Sequence, residues 1–190
     1  MIDIDRMSLG SPPSGFSFAR TGRGGEGEWS VVADPSARGG RAIAQTSTDN
    51  TDYRFPLAIR ASFSAKNLAV EVRFKPVAGR IDRAGGIAVR LKDPDNYYVS
   101  RANALEDNVR FYRVVAGKRQ QLGTANVRVT AGAWHTLSLK AEGNRFTVSY
   151  DGAVLFEVKD DTFADAGGVA LWTKADSVTH FDQLTITTLP

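Results

Sequence analysis

The sequence predicts an all-β protein, a sandwich or barrel of short antiparallel strands. Three observations carry that expectation. Apolar and polar residues alternate with period two, turn residues recur about every 8–14 positions, and only Asn103–Asp107 and Thr162–Asp165 could form even one helical turn. A chain of 190 residues with 42% apolar and 24% charged residues is one globular domain, not a disordered segment. It is long enough to bury a core without staples, and the absence of cysteine excludes a disulfide scaffold, a thiolate metal site and a cysteine nucleophile.

Residues 1–27, rich in Gly, Ser, Pro and Arg, read as an irregular lead-in, and residues 28–190 as the single folded domain. Trp29–Val32 opens the strand pattern. Leu68, Val70, Val72 and Phe74 then alternate with Ala69, Glu71, Arg73 and Lys75, as a half-buried strand requires. Ile87, Val89 and Leu91 repeat the pattern, as do Val109 and Phe111 before the Gly117 turn. Phe146, Val148 and Tyr150 lead into Asp151-Gly152, a strong hairpin signal, and Val154–Val158 returns. Val169–Thr173 and Leu184–Thr188 complete the series. The predicted core is therefore Val70, Val72, Phe74, Ile87, Val89, Leu91, Val109, Phe111, Val148, Leu171 and Ile186, between two antiparallel sheets.

The formal charge of +3 is unevenly placed. Residues 54–128 carry 15 Lys/Arg against 6 Asp/Glu, whereas the remainder is acidic. Arginine supplies 17 of the 24 cations, and its planar fork suits anions and sugar hydroxyls. No nucleic-acid motif appears, so the sequence points away from nucleic acid. The longest apolar stretches, such as Trp29–Ala33 and Gly168–Trp172, fall far short of the ~18 residues of a spanning helix. The opening Met-Ile-Asp-Ile-Asp-Arg is unlike a secretory signal, which leaves a cytoplasmic chain or a mature form with its signal removed.

Catalytic motifs are scarce. Gly22-Arg-Gly-Gly-Glu-Gly27 has dinucleotide-loop spacing but runs into a strand, not a helix. There is no zinc-protease helix motif and no nucleophile elbow. His135 adjoins Trp134 in a strand; His180, near Asp176 and Asp182, is the better candidate for acid–base work. Glu106, Asp107 and Asp176 are the candidate carboxylates. Asp93 and Asp95, in the turn ending at Asn96, read first as turn caps, and with Asp182 as possible oxygen ligands for a structural calcium.

The most distinctive stretch is Asn96-Tyr-Tyr-Val-Ser-Arg-Ala-Asn-Ala-Leu-Glu-Asp-Asn108, with Leu171-Trp-Thr-Lys-Ala-Asp176 later in the chain. If the apolar alternates point inward, Arg90, Tyr98, Arg110, Tyr112, Trp172 and Lys174 point outward. With Arg101 and Asn103 they form a candidate ligand-binding face, aromatic for the C–H side of a sugar and polar for its hydroxyls. The bland alternative is that the aromatics only complete cross-strand pairs.

Gly85-Gly-Ile-Ala-Val-Arg90, Asp95-Asn-Tyr-Tyr98, Ala133-Trp-His-Thr-Leu137, Phe146–Gly152 and Gly168–Trp172 to Phe181-Asp182 follow the order found in concanavalin A-like lectin/glucanase domains. Within that group the chain most resembles laminin G-like and bacterial 3-keto-disaccharide hydrolase-type domains, over about residues 28–188. The resemblance implies a two-sheet jelly roll and an exported, periplasmic or extracellular protein. The Glu-x-Asp-x-x-Glu signature of retaining glucanases is absent, and Ala84-Gly85-Gly86 stands where an Asn-Ser-Gly turn is expected, so no catalytic residue carries over. Two functions follow: a carbohydrate-binding protein of the bacterial envelope or exterior, or a hydrolase or lyase acting on glycosides, including 3-keto-glycosides.

Overall fold

The computed structural model describes residues 1–190 and contains fourteen strands and no helix. In chain order these are β1 (Phe16–Gly22), β2 (Trp29–Ala33), β3 (Arg41–Gln45), β4 (Arg54–Arg60), β5 (Leu68–Ala78), β6 (Ala84–Asp93) and β7 (Asn96–Asn103). They continue as β8 (Asn108–Val115), β9 (Lys118–Asn126), β10 (His135–Glu142), β11 (Arg145–Tyr150), β12 (Ala153–Lys159), β13 (Gly168–Trp172) and β14 (Val178–Thr188). The first sheet has the order β1-β4-β13-β6-β7-β8-β9 and the second β12-β11-β10-β5-β14-β3-β2. Pairing is antiparallel throughout, as the two-sheet expectation requires.

The main core lies between the sheets. It includes Val70, Val72 and Phe74 of β5 with Ile87 and Val89 of β6, Val109 and Phe111 of β8, Val148 of β11 and Leu171 of β13. Ile186 packs half-buried against it, and Leu91 departs from the expectation. A bulge shifts the β6–β7 register after Val89, where Arg90 takes a φ of 48°. The extra residue moves Leu91 to the opposite face, as one step in a period-two pattern must.

That opposite face holds a second apolar cluster. Phe55, Leu57, Leu91, Tyr97, Val99, Tyr112, Val114 and Trp172 gather on the outer side of the first sheet. Central strands β6 and β7 are thus buried on both faces. Gly85 and Gly86 follow from this double packing. A methyl group on Gly85 would sit 2.9 Å from Thr179 and 3.1 Å from Phe74; on Gly86 it would sit 2.6 Å from the Ser100 carbonyl and 3.2 Å from Trp172.

The lead-in is more ordered than the sequence suggests. Residues 16–22 form β1 on β4, and Ile4 and Met7 reach the main core. The Gly10 amide donates to the Val31 carbonyl at 2.8 Å, and the Val31 amide to Ser11 at 2.9 Å, which caps the edge of β2.

Candidate functional site

The β7–β8 hairpin brings the distinctive stretch together. Arg101 lies opposite Arg110 in register, and alternation puts Tyr112 on the same outer face. Glu106, in the connecting turn, accepts from Arg101 Nη2 at 2.9 Å and lies 3.3 Å from Arg110 Nη1. Arg101 also donates to the Asn108 side chain and, at 3.4 Å, to the Tyr112 hydroxyl. Arg101 is buried; Glu106 and Arg110 are 41% and 33% exposed, so the buried guanidinium fixes Glu106, which in turn holds Arg110, and solvent reaches both.

Electrostatics follow from that geometry. Burial pushes the Glu106 carboxyl up, but Arg101, Asn108, Arg110 and Lys174 outweigh it and hold it below its ordinary value. Burial likewise pushes the Tyr112 phenol up, and the guanidinium groups of Arg101, Arg110 and Arg119 bring it below normal. A second cluster adjoins the first. Lys174 Nζ lies 2.8 Å from buried Asp82 and 3.5 Å from exposed Asp52. Asp82 accepts from Asn103 Nδ2 at 2.5 Å, and Asn103 Oδ1 accepts the Leu105 amide at 2.8 Å, tying the hairpin turn to the loop before β6. The result is a preformed rim of charged and amide groups beside an apolar floor. Asp52, Asp82 and Arg119 are the members that the sequence reading missed.

Of the residues predicted for this face, Arg101, Asn103 and Tyr112 lie on it but are buried, and three more are turned away or fully enclosed. Tyr98 points between the sheets, stacked on Phe111 with its hydroxyl 2.5 Å from Asp160 Oδ1; its neighbour Tyr97 takes the outer position. The bulge turns Arg90 inward, where it donates to the carbonyls of Lys66 at 3.0 Å, Phe163 at 2.8 Å and Gly143. Trp172 is on the outer face but has no exposed surface, being stacked on Phe55 at 5.4 Å with its indole N–H 3.2 Å from the Tyr97 hydroxyl. Its ring is part of the floor and offers no free stacking plate.

The acid–base candidates do not converge. Asp107 accepts the Val129 amide at 2.9 Å. The Asp176 carboxylate takes the amides of Arg80, Ile81 and Asp82 at 2.7–3.0 Å; burial raises its pKa, and these donors bring it below the ordinary value. His180 sits on the other sheet, with Nδ1 2.7 Å from Asp34. Only Glu106 belongs to the rim. Of the oxygen ligands considered for calcium, Asp93 and Asp182 are engaged by protein donors, whereas the Asp95 carboxylate is not. Asp93 takes the Asp95 amide at 2.8 Å and the Asn96 side chain at 2.9 Å, and Asp182 takes Arg73 and the Arg38 amide. No three acidic or imidazole side chains group to hold a metal.

The His180 cluster is a clamp between β2, β5 and β14. Asp34 accepts from His180, Lys75 and Ser36, and Ser36 Oγ also accepts from Trp134 Nε1 at 2.9 Å. Burial raises the Asp34 pKa, but Lys75, Ser36 and His180 together bring it well below the carboxylate range. A depressed folded-state pKa stabilises above the unfolded value of ~3.9 and is lost as pH falls through the lower folded value. Asp34→Asn should therefore cost ~2 kcal/mol at neutral pH, with the deficit shrinking below about pH 4. Denaturant titrations across that range measure it, and a deficit independent of pH would contradict the assignment.

Two stacked antiparallel sheets carrying a rim of oriented polar side chains define a lectin-type jelly-roll sandwich. Among solved structures, the carbohydrate binding module CBM66 from Bacillus subtilis is 21% identical, with a TM-score of 0.70 over 90% of this chain and 95% of that one. A Bacillus subtilis protein with a galectin-like fold is 8% identical at a TM-score of 0.63, over 90% and 89%. A Caenorhabditis elegans galectin is 14% identical at 0.51, over 65% and 84%. The chain belongs to the family described as galactocerebrosidase, C-terminal lectin domain, whose model matches residues 59–189. Among curated proteins no sequence matches.

Proposed function

We propose that the protein binds carbohydrate on the outer face of the first sheet, at the rim formed by Glu106, Arg110, Lys174 and Asp52. The observation that carries this reading is the fixing of solvent-reachable groups by buried partners, Arg101 for Glu106 and Asp82 for Lys174. Sugar hydroxyls need donors and acceptors already oriented, because ordering flexible side chains on binding reduces affinity. Membership of a lectin-domain family and the likeness to a carbohydrate binding module point the same way. The scatter of Asp107, Asp176 and His180 favours binding over turnover. The narrower kinship with laminin G-like and 3-keto-disaccharide hydrolase-type domains, and an exported location, belong to this proposal and rest on the motif order.

The test compares the two sheets. The second sheet's outer face carries a trough of about 660 Å³, whose Ser138–Glu71 and Thr147–Glu157 pairs, at 3.0 and 3.1 Å, are ordinary exposed rungs. On a glycan array, Glu106→Ala should weaken binding about tenfold, the effect of one charge-assisted hydrogen bond, while Ser138→Ala changes it little. Binding that survives Glu106→Ala and is lost in Ser138→Ala would move the site to the trough.

A further inference from the structure

Arg119 differs from the other cations of the outer face. Its guanidinium carbon lies 4.6 Å from the Phe55 ring centre and 4.7 Å from that of Tyr112. Arg101 and Arg110 pair with Glu106, and Lys174 pairs with Asp82 and Asp52. Arg119 makes no salt bridge, and its Nε is buried without an acceptor. Arg110 Nε, across Tyr112, is likewise buried and unpartnered.

This arrangement holds a guanidinium against two rings and leaves its Nη groups without a protein acceptor. Contacts with two aromatic rings restrain the plane, so little side-chain freedom remains to be lost on binding. Phe55 and Tyr112 supply no acceptor in the plane of the fork. A planar anion could take parallel N–H donors from the two Nη groups, the buried Nε being closed to it. Neutral hydroxyls would leave that charge without a counterion, whereas a carboxylate supplies one.

We infer that this face selects acidic saccharides, with Arg119 receiving the carboxylate of a uronic acid residue while the adjoining rim takes the neutral part of the chain. The inference rests on the carbohydrate-binding reading above and adds the ligand's charge to it. It assigns Arg119 a specificity role that the neighbouring cluster does not share, because Glu106, Asp82 and Asp52 together balance Arg101, Arg110 and Lys174.

Calorimetric titration of the whole chain with a uronic acid oligosaccharide, its carboxyl-reduced neutral counterpart and a sulfated neutral counterpart separates the outcomes. The uronic acid form should bind about tenfold more tightly than the reduced form, a preference that weakens with added salt. Arg119→Gln should abolish that preference. Arg119→Lys, which keeps the charge but loses the fork, should retain only part of it, and the melting curves of both variants should remain cooperative. Equal affinity for acidic and reduced forms, or a preference intact in Arg119→Gln, overturns the inference and leaves carbohydrate binding standing. A preference for the sulfated form alone overturns the choice of carboxylate. Failure of all three to bind, while other glycans bind, overturns the acidic-sugar inference; failure of every glycan overturns both readings.

Discussion

Arg54→Ala should destabilise the protein by ~3–5 kcal/mol, the range found when one partner of a buried charged network is removed. The Arg54 side chain has no exposed surface, and its guanidinium donates to five groups. Nε reaches the Gly25 carbonyl at 2.7 Å, Nη1 the carbonyls of Ala175 at 2.6 Å and Asp49 at 3.3 Å, and Nη2 the Glu26 carbonyl and Ser47 hydroxyl at 3.1 and 2.9 Å. Three loops, around residues 25, 48 and 175, thus share one side chain. Deletion would leave carbonyls that cannot pair with one another, and their desolvation costs more than the bonds contribute. Lysine should not rescue the loss, since one compact head cannot reach acceptors set around a planar fork. Urea denaturation measures the change through the midpoint at constant slope. A loss under about 1 kcal/mol would show that the loops are held independently.

Trp172→Ala should cost ~3–5 kcal/mol, because a fully enclosed indole leaves a cavity that its neighbours cannot all refill. Phe55 stacks on one side, Tyr97 bonds the N–H, and Gly86 lets the strand approach. Trp172→Phe should be milder, since it retains most of the volume and loses the hydrogen bond. The order of effects distinguishes a structural floor from a stacking plate. A stacking plate would lose glycan affinity in both variants without losing stability. A floor loses stability in the alanine variant first, with affinity following the collapse.

These two cases show how far the sequence could be read. Alternation is unambiguous where one face meets solvent, as in β5 and β11, and those strands are legible in the sequence; β10 alternates as clearly, yet only its start at His135 is read as strand. It is uninformative where both faces are apolar. Tyr97, Tyr98 and Val99 carry no polar marker between them, so which tyrosine faces inward is fixed only by the packed sheets. A bulge at a non-glycine residue also leaves no local signal, so plain alternation puts Arg90 on the outer face although its φ of 48° turns it inward. The hairpin residues Arg101, Glu106, Arg110 and Tyr112 come together because sequence neighbours become register neighbours. Asp82 and Asp52 reach Lys174 from distant loops, which no spacing reveals. Arg119 was accessible in principle. It pairs with Val114 across the Gly117 turn, and counting alternate positions places it on the Tyr112 face.

The placement of the last two strands has a consequence for biosynthesis. β13 lies between β4 and β6, and β14 between β5 and β3, so each sheet receives an interior strand from residues 168–188, the last of the domain's strands. Until residues 168–188 leave the ribosome, β4 and β6 lack their shared neighbour, and so do β3 and β5. Their backbone donors and acceptors stay open to other chains, and the long-range pairing that closes them is intrinsically slow. Neither sheet can close before residues 168–188 are available, whatever the rest of the domain has done.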